Sequence, residues 1–365
     1  MTRQGPRIGL ALSGGGFRAT VFGLGCLRAL HDRDLLRHVR VVSGISGGSL
    51  LAAMWAYGPK DFRNFEQSVI DLATAGLQAE LIRRALSPLP LVRNITAAAA
   101  SLATGRPRTT TRTDALVAAL TARDFGTLHV DQVTHPNLDT VLSATDMVTG
   151  NAVRFGSRAS SCSPYGRIND PVLIGEAVAA SAAFPPLLPA VHRSYEFQQR
   201  DGATITRSVT MTDGGVYDNL GLSPLLPGRS QEHTSHVYDL DYLIAADAGR
   251  GRSNRTAARF APGRLKQAFD ITYSKAQDAS RARIHLAGAS GHIRGFVHAY
   301  LGMDDHRLPV PLSDLVPRDW ISGYPTNFAA MAPQTLTAIS VRGEQLTRSL
   351  LNFYCPELDE SERSA

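Results

Sequence analysis

RIGLALSGGGFRATVFGLGCLRALHDRDLLRHVRVVSGISGGSLLAAMWAYG, residues 7–58, reads as two strand–helix units in succession. Residues 7–13 are a β-prone apolar run that ends at three consecutive glycines. From Phe17 onward, Val21, Leu24, Leu27 and Leu30 recur at helical spacing, which predicts a helix with one buried face. VRVVSG, residues 39–44, predicts a second strand, and GGSLLAAMWAYG a second helix. Strand, helix, strand, helix is the pattern of a parallel α/β sheet. Three adjacent glycines cost conformational entropy, so something must need the bare backbone at 14–16. A loop between a strand and a helix start aims free amides and the positive end of the helix dipole at one point, where an anion can sit.

Further along, residues 62–124 are helical and alanine-rich, broken by SPLP at 87–90 and by TGRPRTTTRT at 104–113. They are expected outside the sheet as a cap or insertion, with LVRNITAAAASLATG (91–105) as an amphipathic lid or a plain surface helix. Residues 138–156 read as a strand, a turn near Gly150 and Asn151, and a second strand. LIGEAVAASAAF is helical until Pro185 and Pro186 stop it. SVTMTDGG (208–215) is a strand entering a glycine turn, and YLIAADAGR (242–250) another buried strand. The expected organisation is one domain over residues 1–365, with its core at about 7–250 and with 251–365 supplying helices and strands packed on that core.

Composition narrows the class. Hydrophobic residues at 43% and charged residues at 19% are those of a globular chain that can bury a core. The formal charge of +6 is carried almost wholly by arginine, since lysine stands only at Lys60, Lys266 and Lys275. That excess reflects genome composition or attraction to anionic headgroups and phosphate. Nucleic acid is not expected, because no zinc spacing, reader motif or aromatic interleaving occurs. Cys26, Cys162 and Cys355 are widely spaced and odd in number, which fits a reducing compartment and no disulfide framework. No signal peptide is read at the N-terminus, and no apolar run reaches the ~18 residues needed to span a bilayer. The expectation is a cytoplasmic protein, at most peripheral on a membrane.

Three motifs carry chemistry. Ser13-Gly14-Gly15-Gly16-Phe17-Arg18-Ala19 is the anion-holding loop. A Walker loop is excluded because no lysine occurs before Lys60. A dinucleotide site matches G-x-G-x-x-G/A, but the acid it needs at the end of the second strand is replaced by Ser43-Gly44-Ile45-Ser46. The third possibility is an oxyanion hole, which requires a nucleophile nearby. Gly44-Ile45-Ser46-Gly47-Gly48 matches G-x-S-x-G, the strand-to-helix turn that exposes a serine Oγ. In Thr212-Asp213-Gly214-Gly215-Val216-Tyr217-Asp218-Asn219-Leu220-Gly221, Asp213 ends a strand and the glycines turn the chain. Asp218 is a second candidate base, with turn-capping as its other role. None of the 11 histidines sits in a triad setting, no H-E-x-x-H occurs, and Asp304-Asp305-His306 reads as an exposed turn.

SGGGFRA, GISGGS and DGG in that order, with ALSGGGFRATVFGLGCLRAL, GEAVAASAAFPPLLPAV and DGGVYDNLG around them, resemble the patatin-like phospholipase family over about residues 7–250. The resemblance implies a three-layer α/β/α sandwich with a mostly parallel central sheet, helices on both faces, and a Ser–Asp dyad without histidine. Ser46 is then the nucleophile and Asp213 the general base. Amides at Gly14, Gly15 and Gly16, joined by Gly47, form the oxyanion hole, and Gly44 and Gly48 shape the nucleophile elbow. Arg18 positions the loop or attracts phosphate. The implied activity is lipid acyl hydrolysis of phospholipase A or lysophospholipase type, through an acyl-serine, with no cofactor or metal. Lipid or phospholipid is the implied substrate, with peripheral membrane contact. The alternative of another class is a nucleotide- or dinucleotide-binding protein using the Gly14–Gly16 loop.

Overall fold

Strand β1 (Ile8–Leu12) is buried at every position, as a continuous apolar run must be when parallel neighbours flank it and helices cover both faces. In the computed structural model, which describes residues 5–78, 112–185, 188–251 and 256–358, the next elements are α1 (Gly16–His31), β2 (Val39–Gly44) and α2 (Gly47–Tyr57). The two units therefore fold as their sequence reads. Helices α3 (Phe62–Ala75) and α4 (Arg112–Leu120) lie between β2 and the next strand, and α4 runs into a π-helical turn at Thr121–Phe125. The lid expected at 91–105 lies outside the described residues.

The chain continues as β3 (Asp139–Asp146), β4 (Ala152–Gly156), β5 (Ser160–Cys162), β6 (Gly166–Ile168), α5 (Ile174–Ser181), β7 (Val191–Gln198) and β8 (Thr204–Asp213). After the short α6 (Gly215–Asp218) come β9 (Tyr242–Asp247), α7 (Ala261–Ala289), β10 (Gly295–Tyr300), α8 (Arg318–Ile321) and α9 (Pro333–Tyr354).

Five strands, in the order β10-β9-β1-β2-β3, pair in parallel. The two-residue period of the strands divides their side chains between two cores. Leu10, Leu12, Val42 and Ile244 join the cluster built with α1, α2 and α9, whereas Ala11, Val41, Leu243 and Ala245 join Ile284 and Ala287 of α7. Buried Arg342 of α9 donates to the carbonyls of Leu301, Met303 and Val316 and pairs with Asp305, so the Asp304-Asp305-His306 turn is tied inward by an ion pair. All three cysteines are free and buried.

The expected three-layer α/β/α sandwich with a mostly parallel sheet is corrected here. Strands β3 to β8 pair antiparallel in succession, and β8 pairs back onto β3 with Ala144 opposite Asp213, which closes a six-stranded antiparallel barrel. The physical reason lies in the connections. Four of the five links between these strands are turns of three to five residues, too short for the crossover that a parallel neighbour needs. Strand β3 belongs to both parts and joins the parallel wing to the barrel.

Candidate active site

Strands β1 and β2 end in register, with Leu12 opposite Gly44, so the loops that follow them leave the same edge of the sheet. The Gly14–Gly16 loop opens α1 and the Gly44–Gly48 turn opens α2. The two touch: a Cβ on Gly47 would lie 2.0 Å from the carbonyl oxygen of Gly16, and one on Gly48 would lie 2.3 Å from that of Leu12. Only glycine allows this approach. Gly44 is equally crowded, against Ser49 Cα.

Ser46 holds φ 52° and ψ −118°, outside the regions ordinary for a residue with a Cβ. Such strain costs about 1–3 kcal/mol and persists only where the surroundings enforce it. They do: the Ser46 N–H donates to Ser181 Oγ at 2.9 Å, while its carbonyl accepts from Ser49 Oγ at 2.6 Å and from Leu50 N at 3.1 Å. Ser181, at the end of α5, also donates its hydroxyl proton to the Ser143 carbonyl at 2.6 Å and accepts the Gly214 N–H on its own carbonyl at 3.1 Å. One residue thus braces both the Ser46 turn and the turn after Asp213.

Asp213 ends β8 and is buried. Burial pushes its carboxyl up from the ordinary value to about 7, against the Gly215 N–H, which donates to Oδ1 at 2.7 Å, and the Ser46 hydroxyl, which lies against the same carboxylate as a donor. Serine and carboxylate therefore share one buried place, and no histidine is among the groups that act on Asp213.

The structure separates the amides of the glycine loop. Gly14 N–H is taken by the Asn219 carbonyl at 2.9 Å. The amides of Gly15, Gly16 and Gly47 have no protein acceptor among the described residues, and Gly15 and Gly16 adopt φ 146° and 58°, values open to glycine. Arg18 is buried, with Nε on the Ala248 carbonyl at 2.9 Å and NH1 on that of Tyr324 at 2.7 Å; burial, with Arg250 nearby, lowers its pKa to about 10. Asp218 caps a turn by accepting from Leu220 N and Ser223 N.

A cavity of about 150 Å³ opens at Ser46 and Gly16, walled by Ala182, Phe184, Leu188 and Phe328, with Gln78 and Arg112 also on its lining. Its walls are mainly apolar, which suits a hydrocarbon chain beside a polar reacting group. No group of three or more His, Cys, Asp or Glu among the described residues is placed to hold a metal ion.

Three supporting residues were not read from the sequence: Ser181, Asn219 and Tyr273. Tyr273 of α7 donates to Asn219 Oδ1 at 2.6 Å, so the carbonyl that holds Gly14 belongs to a residue anchored from another layer. The asparagine stood within the DGGVYDNLG motif, but nothing local pointed to a tyrosine 54 positions away.

A model of the patatin-like phospholipase family matches residues 10–226. The chain is 37% identical over 74 residues to "Probable lysophospholipase 2" of Schizosaccharomyces pombe, which is 18% of this chain and 12% of that protein. It is 41% identical over 70 residues to "Probable lysophospholipase 3" of the same yeast, 17% of this chain and 10% of that one. The chain thus matches about a tenth of the length of these curated relatives. Among solved structures it resembles human GIVD cytosolic phospholipase A2 with a TM-score of 0.57 and 14% identity, over 98% of this chain and 62% of the other. At that identity the likeness is one of fold.

Proposed function

Because the chain belongs to the patatin-like phospholipase family, we propose that it is a lipid acyl hydrolase that cleaves carboxylic esters through an acyl-Ser46 intermediate. The observation that carries this reading is the buried pairing of a strained serine with a carboxylate raised to about 7, at the mouth of an apolar cavity.

Ser46 Oγ attacks the ester carbonyl carbon while Asp213 takes its proton. The carbonyl oxygen becomes an oxyanion, and the amides of Gly15, Gly16 and Gly47 are the donors free to receive it; Gly14 holds the loop to Asn219 instead. One such donor is worth ~3–4 kcal/mol in the transition state. Collapse expels the alcohol, to which Asp213 returns the proton. Water then attacks the carbonyl carbon of acyl-Ser46 as Asp213 takes its proton, and Asp213 returns that proton to Ser46 Oγ as the fatty acid leaves. Without an imidazole, the base must have a pKa near the working pH, and burial gives Asp213 that value. Arg18, bound to two carbonyls, fixes the start of α1.

The nucleotide reading fits less well, since Gly16 and Gly47 are in contact where a pyrophosphate would need room. The test is fatty-acid release from phospholipid, lysophospholipid and neutral-lipid vesicles with EDTA present. Ser46→Ala and Asp213→Asn are each expected to lower release at least ~10³-fold. Release that survives both substitutions would remove the dyad.

A further inference from the structure

Helix α7 is much longer than the strand it accompanies. Its 29 residues rise about 44 Å, whereas the 6 residues of β9 span about 20 Å. Arg281 fixes the register: its guanidinium donates to Asp247, the last residue of β9, at 2.8 and 2.9 Å. Below that level Ile284 and Ala287 are buried against the sheet. Two turns above it Tyr273 reaches Asn219 at the candidate site. The remaining turns, from Ala261 to Thr272, extend past the edge of the sheet at which Ser46 lies.

That overhang is exposed and carries large apolar side chains. Phe260 is 78% exposed, Leu265 75% and Ile271 58%. Arg259, Arg264 and Lys275 stand among them, and none has a carboxylate partner among the described residues. The patch adjoins the cavity: Phe184, on the cavity wall, packs edge-on to Tyr273, which directly follows the exposed turns. A helix exposed on nearly every side has little packing to hold it, so apolar residues there are unpartnered. Unpaired cations interleaved with large apolar groups complement an anionic lipid surface, where the cations meet headgroups and the apolar groups enter the acyl boundary.

We propose that residues 259–275, at the N-terminal end of α7, are the surface by which this protein docks on an anionic bilayer, with the Ser46 cavity facing the lipid. The proposal deepens the lipid-hydrolase reading by naming where the substrate surface sits. Docking delivers a lipid to the cavity along Tyr273 and Phe184 without the whole molecule leaving its membrane.

The test separates docking from chemistry. Sedimentation with phosphatidylcholine vesicles, and with phosphatidylcholine–phosphatidylglycerol vesicles, is measured for the full chain carrying Ser46→Ala, so no hydrolysis intervenes. Binding to the anionic vesicles is expected. The triple variant Phe260→Ser/Leu265→Ser/Ile271→Ser should lower it at least ~10-fold. The triple variant Arg259→Gln/Arg264→Gln/Lys275→Gln should lower it roughly 100-fold on the anionic vesicles and little on the neutral ones. In the wild-type background both variants should keep turnover of a soluble short-chain ester while losing hydrolysis of vesicle lipid. Absence of vesicle binding by the parent chain, or equal binding by parent and both variants, overturns the docking surface. Vesicle binding by a chain that hydrolyses no ester leaves this surface standing and removes the hydrolase reading.

Discussion

The raised carboxyl of Asp213 has two opposite effects, one on rate and one on stability. In the proposed reaction it acts as a base in its ionised form, so kcat/KM should fall roughly tenfold per pH unit below about 7 and level off above it. For folding, a group whose folded pKa exceeds its unfolded value contributes stability in full below the unfolded value, near 3.8, and loses it as pH rises through about 7. Asp213→Asn should therefore raise stability at pH 8 by on the order of 4 kcal/mol, with a higher Tm, and leave it nearly unchanged at pH 4; thermal melts at the two pH values check the sign. Gly47 supplies the other residue-scale prediction. A methyl group there would meet the Gly16 carbonyl at 2.0 Å, so Gly47→Ala must drive the two loops apart. A displacement near ~1 Å costs about 100-fold in rate, and the loss should appear in kcat with the far-UV spectrum intact.

Elements decide how the donors are held. Helix α7 lies outside the segment matched by the family model, yet its Tyr273 hydroxyl holds Asn219, whose carbonyl holds Gly14. Tyr273 is a positioning residue in this scheme. Tyr273→Phe is expected to lower kcat about tenfold with KM nearly constant, whereas a purely structural loss would lower Tm and the active fraction together. The same contrast explains what could be read in advance. The serine turn, the glycine loop and the DGG strand end are local signals, written within a few residues each, and the β1-α1-β2-α2 unit follows from apolar period alone. The commitment of the Gly14 amide, and the bracing by Ser181, depend on chain segments far apart, and no short-range pattern encodes them. The barrel escaped for a related reason. Strands β5 and β6 are three residues each, SSC and GRI, too short and too polar to show a period of two.

For the whole molecule, the parallel wing supplies the edge and the barrel supplies the carboxylate, and β3 belongs to both. No helix among the described residues is long and apolar enough to cross a membrane. With a formal charge of +6 and a basic overhang at α7, hydrolysis of anionic vesicles should weaken steeply between about 0.05 M and about 1 M salt, where the screening length falls to ~3 Å. Turnover of a soluble ester should hold over the same range. Ser181 places a further demand on the chain, one of time. Its hydroxyl accepts from the turn at residue 46 and its carbonyl accepts from the turn after residue 213. Each of those contacts closes a long loop, and loop closure of that kind is the slow part of folding. During refolding, helical signal should return well before the first turnover, because Ser46 cannot keep its strained shape until α5 has docked between the wing and the barrel.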